Sequence, residues 1–494
     1  MLRELSFVSD TICCFMTWSG FDTGGRAMGI LKGHEVTQEE RYNEMMNEPV
    51  QHLVIRLAIP TIISMLVTSI YNMADTFYVS QLNTSASAAV GIIYALSSII
   101  QACAFFIGMG AGNNVARLLG QQKNERASQY VSVAYFTELI VGGLICIIGL
   151  WHLEELVYLF GATDTIAPYA MDYARYILLA APFMMCSFGM NNMMRFQGNA
   201  MYSMIGITLG GVLNIVLDPI FIYDFGLGLG IAGAAIATGL SQFISFLVLT
   251  YLCNHIKSCI SISIRSFKPS LHMYHNIARS GIPSLTRQGI ASVASIVLNV
   301  AANPYGDAAI AAMSIVNRIT LFMNSAVVGF GQGFQPVCGY NYGAQKYGRV
   351  VEAYNFCLRI GFTVLISLCV LGFIFADPLI TAFRRDDPEV IRIGVLALRL
   401  QLVTFSLMAQ ITMANMFTQT IGYSFRATVI SLLRQGLYLI PLLVILTSAF
   451  GFMGLLLATP LSDVLSGITA FVITRSIVSD FRKLAKEEQG TVSA

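Results

Sequence analysis

The sequence predicts an all-α polytopic membrane protein, with twelve transmembrane helices forming two six-helix lobes related by a pseudo-twofold axis. Three observations carry that prediction. Of 494 residues, 55% are hydrophobic and only 11% charged, against about 25% charged in an ordinary soluble domain. Apolar runs of roughly 20 residues, enough to cross a bilayer, recur from residue 57 to residue 474. The chain also aligns with itself at a shift of 223 residues.

The same composition excludes other classes. Lys and Arg total 29 against 27 for Asp and Glu, so no basic excess exists to neutralise nucleic-acid phosphates. The ten cysteines are scattered apart from Cys13-Cys14, and no C-x-x-C occurs. Most sit in apolar runs, where a free thiol acts as a small hydrophobe rather than as a metal ligand or disulfide partner.

Taken in order, the runs fall near 57–80, 87–115, 129–150, 170–190, 200–222 and 231–253, then 281–302, 310–335, 353–375, 394–416, 427–448 and 453–474. Connections are short except for the polar stretch from His255 to Arg279, which divides the chain nearly in half. One set of alternate loops carries Arg117, Lys123, Arg126, Lys257, Arg265, Lys268, Lys346 and Arg349, whereas the other offers Arg384, Arg385 and Arg392. The excess of basic residues marks the cytoplasmic side, which places both termini there and requires an even number of spans. The expected organisation is a cytoplasmic extension over 1–50, an N-lobe over 51–254, a cytoplasmic linker over 255–279, a C-lobe over 280–478 and a cytoplasmic tail over 479–494. The extension has no signal-peptide pattern, and Met28, Met45 or Met46 is an alternative start.

The internal repeat is specific. At a shift of 223, Ile59-Pro60 meets Ile282-Pro283, Gly108-x-Gly110 meets Gly331-x-Gly333, and Gly120-Gln-Gln-Lys123 meets Gly343-Ala-Gln-Lys346. At 224, Arg175, Asn191 and Gly198 meet Arg399, Asn415 and Gly422; at 222 Pro219 meets Pro441; at 221 Ala237-Thr238 meets Ala458-Thr459. Six spans return the chain to its starting side, so the halves share one topology. Parallel repeats of this kind rock about a central site to give alternating access. A duplicated scaffold without transport is the alternative.

An acidic residue inside a span costs several kcal/mol and is therefore a functional candidate. Asp75, Glu138, Asp218 and Asp463 are the four. Asn214 and Asp218 share a helix face, and Pro219 leaves the carbonyl of Ile215 without its helical donor. An oxygen-rich pocket of this kind suits a proton or Na+ at Asp75, Asn214 and Asp218. A carboxyl in low dielectric loads and releases a proton near neutral pH, and a cationic substrate competes for the same charge. The alternatives are a helix-terminal cap for Asp218, an interhelical bond for Asp75, a lobe-interior position for Glu138 and pairing with Arg434 for Asp463. Structural pairing is also the expected role of Arg175, Arg287, Arg318, Arg399 and Arg434. Gly228-x-Gly230-x-x-Gly233 imitates a dinucleotide fingerprint, but it opens an apolar span with no acid following, which rejects that reading. The glycines of 108–112 and 329–333 read as helix-packing sites.

These residues resemble the MATE (multidrug and toxic compound extrusion) transporters over roughly 50–478, nearest the MepA-like bacterial branch. The likeness rests on Leu57-Ala-Ile-Pro60 leading to Ala74-Asp75-Thr76, on Gly120-Gln-Gln-Lys123, and on Asn214-Ile-Val-Leu-Asp218-Pro219 followed by Gly233-Ala-Ala-Ile-Ala-Thr238. It implies a V-shaped central cleft between the lobes and drug efflux by H+ or Na+ antiport. It also implies an N-lobe cation and substrate site at Asp75, Asn191, Asn214, Asp218 and Thr238. Family members with a C-lobe cation site place acids on helices seven and ten. Here Arg287 and Gln288 stand on the seventh and the tenth has no acid, so no C-lobe cation site is expected. The function expected is export of amphipathic organic cations across a bacterial inner membrane, by a monomer in contact with membrane lipid, with no cofactor beyond the coupling ion and no nucleic-acid partner. Flipping of a lipid-linked precursor is the alternative, and a membrane enzyme is a more distant one.

Overall fold

A computed structural model describes residues 36–492 except 83 and 384–386. Most of the expected N-terminal extension, Arg384 and Arg385 therefore lie outside the described residues. Every regular element among the described residues is helical.

Among the described residues, ten helices are long and apolar enough to cross a membrane. The first six are Val50–Ser80, Ser85–Gly120, Asn124–Trp151, Ala167–Phe196, Ala200–Ile222 and Gly230–His255. Leu271–Tyr305, Ala308–Gly343 and Tyr347–Ile374 follow, and Ser424–Glu487 is the last. The expected tenth span is a bent pair, Pro388–Phe405 and Met408–Thr420, meeting at 49°. The 64-residue final stretch would measure about 96 Å if straight, some three bilayer cores. It turns back at Gly451, whose φ of 56° and ψ of −133° are not helical. Its two arms then run antiparallel: Arg434 pairs with Asp463, and Gly454 packs against the backbone of Leu446. Counting the bent pair once and the hairpin twice gives the twelve spans the sequence predicts.

The repeat is written into the backbone. Positive φ occurs in non-glycine residues only at Gln122 (58°) and Gln345 (61°) among the described residues, 223 positions apart. Gly228 (61°) matches Gly451 (56°), and Gly198 (82°) matches Gly422 (87°). Two short helices that hydropathy did not reveal, Leu153–Leu159 and Ala376–Phe383, begin 223 residues apart as well.

The halves are fastened along four helices. The first span meets the eighth through Thr61 Oγ1 donating to Gly329 O (2.6 Å), through Ser69 and Ser325 (2.8 Å between hydroxyls), and through Gly333 against the backbone of Ala58. The second meets the seventh through Asn114 Nδ2, which donates to Asn276 O and Ser280 Oγ, both at 3.3 Å, and through Gly281 against Phe106 O. Nearest the two described termini, Gly120 abuts Tyr340 O while Gly343 abuts Arg117 O. That pair of contacts is related by the repeat itself. A Cβ at any of these glycines would meet backbone; of the glycines read as packing sites from the sequence, Gly108, Gly110, Gly329 and Gly333 likewise abut backbone, while Gly112 and Gly331 abut the side chains of Phe196 and Met416. Towards the other end of the same helices, Met73, Phe77, Tyr94, Ile99, Val300 and Phe322 are exposed.

A helix at Gln38–Asn47 precedes the first span. Thr37 and Glu40 form its capping box, each side chain bonding the other's backbone N–H, and this satisfies two otherwise orphaned donors. Met45 and Met46 bury its apolar side. It bridges the halves at the fastened end: Arg41 Nη2 reaches Asn199 Oδ1 at 3.3 Å, and Arg349 Nη2 donates to Glu48 O at 2.6 Å.

Candidate functional site

The strongest intramembrane candidates converge near the unfastened end of the first half. Asp75 lies five residues before the end of the first span, and Asp218 four before the end of the fifth. The fourth and sixth spans begin at that same end, at Ala167 and Gly230. Asn214 Nδ2 donates to Asp218 Oδ1 at 3.0 Å and to Thr238 Oγ1 at 3.1 Å. This ties the fifth span to the sixth. Tyr173 OH on the fourth span donates to Asp75 Oδ2 at 3.3 Å, and Asp75 and Asp218 are close enough to interact electrostatically. Asp218 is fully buried and Asn214 nearly so.

What is left over defines the chemistry. Asp75 Oδ1, Asn214 Oδ1 and Asp218 Oδ2 are buried and have no hydrogen-bond partner among the described residues. Buried polar atoms are normally satisfied, and an orphan signals strain, function or an absent ligand. Three such oxygens, two of them on carboxylates, fit a hard monovalent cation or a proton. No group of three or more His, Cys, Asp or Glu able to hold a metal occurs among the described residues. A divalent-ion site of that composition is therefore not what the cluster offers.

The remaining candidates stand elsewhere. Asn191 is buried and donates to Ser203 O at 3.0 Å, near the opposite end of the fifth span. Fifteen residues separate Ser203 from Asp218, about 22 Å along a helix, so Asn191 does not join the carboxylates. Its repeat partner Asn415 makes the same bond to Ala427 O at 2.8 Å. Glu138 is fully buried against Gly108 and Gly189, inside its own half, with neither oxygen partnered. Asp463 is fully buried and accepts from Arg434 Nε at 2.5 Å, the pairing expected. Arg287 donates to Asn415 Oδ1 at 3.2 Å, while Gln288 O accepts from Ser292 Oγ at 3.5 Å. Arg399 donates to Phe373 O. Arg175 and Arg318 are exposed with no ion pair among the described residues, so structural pairing does not extend to them.

Tyr173 is the site residue the sequence did not single out. It is buried and donates to Asp75. Tyrosines are common in membrane helices, and nothing in Met171-Asp172-Tyr173-Ala174 sets it apart. The signal was indirect: its repeat counterpart is Ala397, just as that of Asp75 is Leu298.

A family model described as MatE matches residues 60–220 and again 283–445, so its two segments begin at Pro60 and Pro283. The multidrug export protein MepA of Staphylococcus haemolyticus (strain JCSC1435) is 25% identical over 435 residues, covering 86% of this chain and 93% of the relative. MepA of Staphylococcus aureus (strain NCTC 8325 / PS 47) is 26% identical over 452 residues, covering 88% and 96%. Among solved structures, a crystal structure of MATE in complex with MaL6 superposes with a TM-score of 0.85 at 28% identity, covering 89% of this chain and 99% of the other.

Proposed function

The chain belongs to the MatE family, and from that premise we propose that it exports small organic molecules, amphipathic cations first among them, in exchange for H+ or Na+. It is a multi-pass membrane transporter and not an enzyme. The MepA relatives are multidrug export proteins, and the burial of two carboxylates in this chain supports carrying that role over.

The observation behind the coupling is the set of orphaned oxygens on Asp75, Asn214 and Asp218. A proton on either carboxyl, or Na+ among the three oxygens, cancels the charge that a cationic substrate needs. Loading by the ion from outside therefore releases the substrate, and loading by the substrate from inside releases the ion. Asn214 and Thr238 hold Asp218 in place, and Tyr173 does the same for Asp75. Alternation between the two states requires the halves to rock, with 51–254 and 280–478 as the moving lobes and 255–279 as their connector. The basic loops support a cytoplasmic placement of the fastened end and both termini, which leaves the cluster nearer the outer face. We take the membrane to be the bacterial inner membrane and the working unit to be a monomer.

The test is dye efflux from proteoliposomes with imposed pH or Na+ gradients. Asp75→Asn and Asp218→Asn should each abolish gradient-driven efflux of a cationic dye while leaving a folded protein by gel filtration. Wild-type efflux by both variants would refute the assignment.

A further inference from the structure

A cavity in the second half occupies the place that the carboxylate cluster holds in the first. Leu298 and Thr459, which line it, are the repeat counterparts of Asp75 and Thr238. The counterpart of Asp218 is Ile440. Both acids are thus replaced by hydrocarbon, and the charge that lines this cavity is Arg434.

We propose that this cavity is a subsite for the carboxylate of an amphipathic organic molecule, set apart from the acidic cluster of the first half. Arg434 spends only Nε on Asp463, which lies wholly buried behind it. The two terminal nitrogens have no hydrogen bond among the described residues, and guanidinium nitrogens in that state match a carboxylate in geometry and charge. Arg434 sits in a π-helical turn, Leu433–Tyr438, where an extra residue re-aims side chains and functional sites recur. The amides of Asn317, Asn324 and Gln401 supply further donors around it, while Leu298 and Phe405 form an apolar wall. A few convergent polar groups against hydrocarbon describe a site for an organic molecule. An inorganic anion would lose its hydration with no apolar body to gain from that wall.

The inference rests on the efflux reading only in taking the cleft as the substrate path. Its test is equilibrium binding in detergent without any gradient, so the outcome is separate from ion coupling. The probes are rhodamine 110, which carries a free carboxylate, and its methyl ester rhodamine 123, followed by fluorescence polarisation. Wild type should bind the acid about tenfold more tightly than the ester, a difference worth about 1.4 kcal/mol. Arg434→Gln with Asp463→Asn removes both charges without stranding either, and should bring the acid-to-ester ratio to one. Asn317→Asp keeps the ion pair and sets a negative charge on the cavity wall, so it should weaken the acid selectively. Saturable ester binding reports that a variant is folded. Equal binding of acid and ester by wild type, or an unchanged preference in both variants, overturns the subsite and leaves cation efflux standing. If neither dye binds wild type, the efflux reading falls with it.

Discussion

The two halves share a backbone and differ in charge. Turns, close glycine contacts, short connecting helices and the Asn191 and Asn415 bonds recur at shifts of 223 or 224 residues. At the matching depth, however, the first half sets Asp75, Tyr173 and Asp218 where the second sets Leu298, Ala397 and Ile440. Gln242 of the first half corresponds to Asp463 of the second, which is neutralised by an arginine where the first half has Val212. Packing needs are common to both halves, because each must bury six helices and slide on the other. Ionic needs are not: under the proposed exchange, the one cluster of Asp75 and Asp218 suffices to carry the coupling ion. A second would add desolvation cost without adding a new exchange.

The largest effect that sharpens this contrast is on stability. Arg434→Met strands the buried Asp463 and should cost about 3–5 kcal/mol in thermal unfolding, with most of it recovered in Arg434→Met/Asp463→Leu. Gln242→Leu, at the matching place, removes no charge and should cost about 1 kcal/mol; equal losses would erase the distinction. Next, Gly120→Val and Gly343→Val each push a side chain into backbone of the opposite half and should disfavour the closed end by about 1–3 kcal/mol. Distances between spin labels on the two halves at that end should lengthen alike for both, and a one-sided response would break the twofold. Asn191→Ala and Asn415→Ala should each cost about 1 kcal/mol and leave the dye-to-ion coupling ratio unchanged. A change in that ratio for Asn191→Ala alone would return Asn191 to the cation site. Smallest of all, Arg349→Ala removes a bond to Glu48 O and should loosen the Gln38–Asn47 helix by about 0.5 kcal/mol, seen as faster tryptic cleavage at Arg41.

Much of this was legible before any coordinates. Hydropathy marked all twelve spans, including the last two, which turn back on each other at the non-helical Gly451. The repeat was visible because glycine and proline positions are fixed by backbone contact and tolerate little drift. Asp75, Asn214 and Asp218 were legible because polar atoms in lipid are costly and therefore few, whereas Thr238, which accepts from Asn214, was assigned by resemblance. Asn191 was assigned by resemblance, and it bonds instead to the start of the fifth span; family position does not fix which end of a helix a side chain serves. Tyr173 stayed hidden because a tyrosine pays little for a membrane position unless its hydroxyl is stranded. The two short connecting helices escaped because seven or eight residues fall below any membrane-length window.

One measurement bears most directly on the central claim that a single cluster exchanges ion for substrate. Purified protein in weakly buffered detergent is titrated with a cationic dye while proton release and displacement of 22Na+ are followed together. Wild type should release one of the two ions as the dye binds. Asp218→Asn should release neither, with a coupling loss of about a hundredfold, the upper range for linked sites. Undiminished ion release by Asp218→Asn, or dye binding by wild type with no ion released, would contradict the account.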